Sequence, residues 1–305
     1  MKQTALVTGG TAGIGWETAI GLAAAGFEVT VVGRDAERGA RAIDRINATA
    51  PAHSARFLAT DLAALGAVRA LADRVAALGP LTVLVNNVGA MFAERQDTVD
   101  GIEAGFAVNH LSPYLLTELL LPALRAGAPS RIVNVTSGAV RVAKRSFDNV
   151  EPPGGYYGFH WYGRAKLANL AYTLELAARL DGSGISVFAA DPGGAATDMT
   201  DGTMRNPKIV SPGLRLLWPL VERKFARSTS GPASVAARPS IFAATDAALE
   251  GRTGIVIGPD AQPISPFRAA ADARTAAAVA RLSQRLAPVS SVEPGGIRGE
   301  SSHPK

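Results

Sequence analysis

The chain has no cysteine, so it can form neither a disulfide framework nor a thiolate nucleophile, and a zinc site of the finger type is excluded with them. Aromatic residues make up only 6% of the 305 positions. The 31 Lys and Arg never gather into a long block interleaved with aromatics, so the net charge of +5 reads as solvated surface and no nucleic-acid partner is expected. No apolar run reaches the length of a membrane-crossing helix, which argues against an integral membrane segment. Strand-like sequence begins at Gln3 and leaves no room for a secretory leader, so a soluble, cytoplasmic protein is the expectation.

What the chain does have is apolar residues, 47% against 19% charged, enough to bury a large core. Positions 1–286 read as one domain, and 287–305, which lack a periodic apolar face, as a disordered tail. Short β-branched runs alternate with Ala-rich stretches of helical period. TALVT, EVTVV, SARFLA, LTVLVN, RIVNVT, ISVFAA and TGIVIG read as strands, and 14–25, 36–48, 62–78, 99–124 and 162–180 as helices between them. The alternation predicts an α/β fold, a doubly wound parallel seven-stranded sheet of Rossmann-like form, with ligands beyond the carboxyl ends of its strands. Two stretches break the rhythm, 143–161 and 198–231, and both read as irregular excursions able to cover a small-molecule substrate.

The chemistry-bearing residues fall near those strand ends. After the first strand, TGGTAGIG places Gly9, Gly13 and Gly15 with Thr11, Ala12 and Ile14 at the start of a helix. Glycine allows a tight turn and close backbone approach, and a first helical turn offers free N–H groups to a pyrophosphate. At the end of the second strand, Arg34 favours the extra phosphate of NADP(H), while the neighbouring Asp35 would suit the ribose of NAD(H) if the strand ran further. Tyr162 and Lys166 stand four apart on a helical pattern, so their Cβ atoms lie roughly 5–6 Å apart on one face. An ammonium beside the phenol is expected to lower the tyrosine pKa from its usual value of about 10. His110 and His160 have no carboxylate at an orienting spacing and read as structural or pocket-lining, and Tyr156 and Tyr157 lack a lysine partner.

Taken together these residues resemble the short-chain dehydrogenase/reductase family over roughly 3–270, in its single-domain branch with T-G-x-x-x-G-x-G. NNVGA, with Asn87 and Gly89, is similar to the family's N-N-A-G stretch, with Val88 where alanine is usual. The resemblance places Asp61 and Leu62 beside an adenine ring, Asn109 on the fourth helix, and Ser137 as the catalytic serine. It makes Tyr162 and Lys166 the Y-x-x-x-K pair, with Ala165 in place of the usual serine, and sets Pro192, Gly193 and Thr197 at the nicotinamide end. VNHLSPYLLT, YGRAKLANL and the 25 positions from Ser137 to Tyr162 resemble retinol-dehydrogenase-like and WW-domain-oxidoreductase-like members.

The resemblance implies hydride exchange between a carbonyl or alcohol on a hydrophobic small molecule and NADP(H). Tyr162 would be acid or base, Ser137 would hold the oxygen, Lys166 would grip the ribose, and Asn109 would position a water. The family also implies a homodimer or homotetramer through the fourth and fifth helices, although monomers occur. Leu214, Leu216, Leu217, Trp218, Leu220, Val221 and Phe225 sit where the family closes over substrate. They read equally well as an apolar lid or as a helix pair packed on the core, with peripheral membrane contact through Trp218, Arg215, Arg223 and Lys224 a weaker third reading. An idle NADP(H)-binding sensor or scaffold is the alternative function, though it would need neither Ser137 nor Tyr162. A sugar-nucleotide epimerase is less well matched because of its different glycine spacing.

Overall fold

The computed structural model describes residues 3–50, 55–149, 151, 154–194, 203–228 and 231–289. Eight strands form one sheet in the order β3-β2-β1-β4-β5-β6-β7-β8. They are β1 (Thr4–Thr8), β2 (Glu28–Gly33), β3 (Arg56–Ala59), β4 (Val83–Asn86), β5 (Ser130–Val135), β6 (Ile185–Ala190), β7 (Ile255–Ile257) and β8 (Pro263–Ile264). The first seven run parallel, as the sequence predicts. β8 is an addition: two residues paired antiparallel to β7, too short to carry a period of their own.

The parallel strands are apolar on both faces because both faces are covered. Alternation along each strand feeds two separate cores. Leu6, Leu84, Ile132, Val187 and Ala189 enter one, against α3 (Leu65–Ala76), α4 (Ser112–Ala126) and α5 (Gly158–Arg179). Ala5, Val7, Val83, Val85, Val133, Val135 and Phe188 enter the other, against α1 (Gly13–Ala24) and α2 (Ala36–Thr49). Further along the chain come α6 (Trp218–Ser228), α7 (Arg238–Thr245) and α8 (Ala273–Leu286). Among the described residues no helix is long and apolar enough to cross a membrane.

Several boundaries differ from the periodic pattern. The helix expected over 62–78 begins at Leu65, where the Leu65 N–H is capped by Asp100 from a distant loop. The helix expected over 99–124 begins only at Ala104 and passes through a π turn, Ala107–Leu111, before α4. Buried Glu103 causes the late start, because its carboxylate accepts from the N–H groups of Gly105 and Phe106 at 2.8 and 2.7 Å. α5 begins four residues before Tyr162, at Gly158. The 198–231 stretch is partly regular, with short helical turns at Thr203–Arg205, Pro207–Ile209 and Pro212–Arg215 ahead of α6. Residues 290–305 of the expected tail lie outside the described residues.

A buried polar chain ties the sheet to the helices that carry the site. Asn86 Nδ2 donates to Thr117 Oγ1 at 2.9 Å and to Asn134 Oδ1 at 2.8 Å, and Asn134 Nδ2 donates to Thr173 Oγ1 at 2.9 Å. Asn134→Ala removes the middle member and leaves one of Asn86's hydrogen bonds unmade. A loss of about 1–3 kcal/mol is expected, read as a lower urea midpoint at unchanged slope.

Candidate active site

The strand order reverses between β1 and β4, and there the loops after both strands meet. Thr8 Oγ1 accepts from the N–H groups of Asn87 and Val88 at 3.0 and 3.1 Å. Asn87 Nδ2 donates back to the Thr8 carbonyl at 2.9 Å and to the Gly9 carbonyl at 3.3 Å. Gly9 and Gly13 have φ of 63° and 54°, the left-handed region that favours glycine. Gly15 is required for a different reason: a Cβ there would stand 2.2 Å from Asn87 Nδ2 and 2.3 Å from the Gly9 carbonyl oxygen. α1 then begins after Ala12 with no side-chain cap and no acidic residue in its first turn. Its leading N–H groups therefore have no carboxylate to answer them, which is the donor set a pyrophosphate uses.

Beside this turn, β2 ends at Gly33, with Thr11 packed so closely that a Cβ on Gly33 would lie 2.7 Å from Thr11 Cγ2. Arg34 is exposed just beyond. Asp35, which the sequence left as a rival ribose ligand, is the N-cap of α2: its Oδ1 accepts from Arg38 N–H at 2.9 Å, and that bond holds its carboxyl below the usual range. Asp61 is exposed and accepts from Ala63 N–H at 3.1 Å, with Leu62 buried behind it.

The catalytic candidates converge across β5. Ser137 follows the strand and caps the short turn Gly138–Val142, its Oγ accepting from Ala139 N–H at 3.2 Å. Tyr162 and Lys166 share one face of α5, with Lys166 Nζ 5.9 Å from the Tyr162 ring centre. Lys166 Nζ donates to the Val135 carbonyl, at the end of β5, at 2.9 Å. Asn109, in the π turn, donates to the carbonyls of Ala90 and Gly105, each at 2.7 Å, and accepts from Ala90 N–H at 3.2 Å. Gly89 lies between them, since a Cβ there would be 3.3 Å from Asn109 Oδ1 and 3.6 Å from Lys166 Nζ. On β6's exit, Asp191 Oδ1 accepts from Gly193 N–H at 3.0 Å, and Gly193 has φ 67° with Pro192 before it. Thr197 lies outside the described residues.

One expectation is reversed. The Tyr162 phenol is pushed up to about 12 because burial disfavours tyrosinate, although the Ser137 hydroxyl pulls the other way. Burial also draws Lys166 down to about 8. Sequence spacing placed the pair correctly but carried no information on how dry its surroundings are.

Other residues shape the site, and Gly163, Gly158 and Arg164 among them were not picked out from sequence. Gly163 presses against the Ser137 turn, since a Cβ there would stand 2.5 Å from the Ala139 carbonyl oxygen, and Gly158 lies as close to the Phe92 carbonyl. Glycine inside a helix costs about 1 kcal/mol, so the G in WYGRAK was itself a signal. Buried Arg164 donates to the carbonyls of Ser146 and Asn149 at 3.0 and 2.9 Å and lies over Phe106 and Phe147. It thereby pins the 143–157 excursion to α5. Tyr156 donates towards Glu103 and the Phe92 carbonyl, each at 3.3 Å. Both histidines are structural in their contacts. Fully buried His110, drawn down to about 3 by desolvation, pairs through Nε2 with Ser283 Oγ of α8 at 2.6 Å, and His160 Nδ1 meets the Val142 carbonyl at 3.0 Å. Over Tyr162, Met91 and Ala139 pack with Ile209, Val210 and Trp218 from the 203–228 segment.

Comparison with known proteins shows the family. The short chain dehydrogenase family model matches residues 3–208. Retinol dehydrogenase 12 of Mus musculus is 36% identical over 230 residues, 75% of this chain and 70% of that protein. Retinol dehydrogenase 11 of Mus musculus is 35% identical over 199 residues, 65% and 63% of the two chains. Among solved structures, the Pseudomonas aeruginosa RhlG/NADP active-site complex superposes with a TM-score of 0.65 at 29% identity, covering 85% of this chain and 95% of that one. With the family model spanning two thirds of its length and retinol dehydrogenases among its relatives, the chain belongs to the short-chain dehydrogenase family of NAD(P)-dependent oxidoreductases, on its retinol-dehydrogenase-like side.

Proposed function

We propose that the protein interconverts a carbonyl and an alcohol on a hydrophobic small molecule using NADP(H), with Tyr162 as the proton donor and acceptor. The observation that carries this reading is the convergence of Ser137, Tyr162 and Lys166 at the end of β5, beside the glycine turn. The residues present fit a dinucleotide: at Gly9, Gly13 and Gly15 the backbone is bare, and the first turn of α1 lacks a competing carboxylate. The nicotinamide ring, when bound, supplies or takes up the hydride.

The chain's own residues do the rest. Reducing a carbonyl builds negative charge on its oxygen, which the Ser137 hydroxyl would meet with a hydrogen bond while Tyr162 delivers the proton. A phenol held near 12 is fully protonated at neutral pH, the form the reductive direction uses. Lys166, tethered to the Val135 carbonyl, has further N–H groups for ribose hydroxyls and for helping the tyrosine give up its proton. Asn109 fixes the 89–90 turn against which Lys166 lies. Ile209, Val210 and Trp218 exclude water above the phenol, and an apolar lining of that kind favours an apolar substrate. Arg34, exposed beyond β2, would pair with the 2′-phosphate of NADP(H), while Asp35 is occupied in capping α2.

The direct test follows reduced-nicotinamide absorbance with NADPH or NADH against a panel of ketones, aldehydes and quinones. Binding of NADPH without consumption by any of them would instead favour an idle sensor. Tyr162→Phe is expected to lower kcat by about 10²-fold or more with the dissociation constant of NADPH nearly unchanged. Arg34→Ala is expected to raise the KM for NADPH by about tenfold and leave that for NADH almost untouched, whereas Asp35→Ala, which removes the N-cap of α2, should lower the melting temperature and leave cofactor preference alone.

A further inference from the structure

The buried polar chain that starts at Asn86 does not end at Thr173. Thr173 Oγ1 donates to the Asn169 carbonyl at 2.7 Å, and Asn169 Nδ2 donates in turn to the Asn109 carbonyl at 3.1 Å. Asn169 is 2% exposed and stands three positions after Lys166 on α5, so the two side chains leave the helix as neighbours on one face. The series therefore leads from the sheet to the π turn that carries Asn109. The Asn109 carbonyl is open to this bond for a covalent reason. In an α-helix it would accept from the N–H four residues on, and that residue is Pro113, which has none.

An amide is an uneven answer to one open carbonyl, because Asn169 Oδ1 is then buried with no hydrogen-bond partner among the described residues. An orphaned acceptor is destabilising, so stability alone would favour a side chain without it. What the amide does hold is a residue that faces two ways. The Asn109 side chain grips Ala90 by both main-chain groups, accepting from the N–H at 3.2 Å and donating to the carbonyl at 2.7 Å, while the Asn109 main chain is held to α5 by Asn169. A Cβ on the adjoining Gly89 would meet Asn109 Oδ1 at 3.3 Å and Lys166 Nζ at 3.6 Å. The amine and the 89–90 turn are thus both referred to one helix, from positions a single turn apart.

We propose that Asn169 is a positioning residue for the nicotinamide cofactor: by clamping the Asn109 main chain to α5, it sets the gap between the 89–90 turn and the Lys166 amine, and so the place at which Lys166 meets the ribose. This role rests on the dinucleotide reading of the site, and Asn169 plays it through Asn109 alone.

The experiment compares two variants of the full chain. Asn169→Leu keeps the side chain's size and loses its donor, while Ser283→Ala frees the same π turn from α8 by removing the partner of His110 Nε2. Both are expected to melt earlier than wild type. Asn169→Leu should also raise the NADPH dissociation constant by about tenfold, read by quenching of protein fluorescence, and lower kcat by about tenfold, with the KM for the carbonyl unchanged at saturating NADPH. Ser283→Ala should leave all three constants at wild-type values. Should the leucine variant fail to fold, Asn169→Ala, which adds no bulk, is expected to show the same pattern. A wild-type NADPH dissociation constant in the Asn169 variant, a loss in both variants that only follows melting temperature, or a rise in the carbonyl KM in place of the fall in kcat would each overturn the proposal. NADPH bound by wild type with no carbonyl reduced would remove the oxidoreductase reading, while the dissociation constants still decide the role of Asn169. A wild type that binds no nicotinamide cofactor would overturn both.

Discussion

The closeness of α5 to the end of β5 governs the rest of the site. Gly163 lies against the Ala139 carbonyl with no room for a methyl group, and one turn on, Lys166 is bonded to the Val135 carbonyl. Two anchors at that spacing fix both the separation and the rotation of the helix. Tyr162 must then stand beside Ser137, which is itself set by the turn it caps. Any side chain larger than hydrogen at 163 would force the helix outward and separate hydroxyl from phenol without touching either. Asn134, bonded to Thr173 further along the same helix, extends the attachment two turns deeper into the sheet.

That closeness also explains the electrostatics. Bringing a phenol and an amine into a dry crevice without a carboxylate partner drives both towards neutrality, Tyr162 upward and Lys166 downward. Burial is the main cause of both displacements, and the Asp191 carboxylate adds to that of Tyr162. Among the described residues it is the Ser137 hydroxyl that favours tyrosinate. A site so arranged stores its proton on the phenol, and whatever eases its departure must be polar and must arrive at the same crevice.

Much of this was readable in the sequence because it depends on local regularity. Strand alternation, the glycine turn before α1 and the four-residue interval between Tyr162 and Lys166 are each properties of neighbouring residues. What escaped depends on contacts between distant parts of the chain. Asp35 could not be separated from a ribose ligand until the end of β2 was known to the residue, and the π turn carrying Asn109 arises from Glu103 capping a helix start that periodicity put five residues earlier. The direction of the Tyr162 shift followed from burial, which spacing does not encode. The leucines of 214–220 had an unmistakable composition, but that they face outward while Ile209, Val210 and Trp218 of the same segment face inward is set by contacts with distant residues.

Arg164 grips the excursion between Ser137 and α5 by two main-chain carbonyls, those of Ser146 and Asn149, and by one side chain, Phe147, beneath its guanidinium. A clasp that reads mostly backbone constrains few of the residues it clasps. Apart from Phe147, the side chains of that excursion can therefore be rewritten one after another while its fastening to the catalytic helix stays as it is, and a single framework can drift from one substrate to the next without dismantling the chemistry beneath.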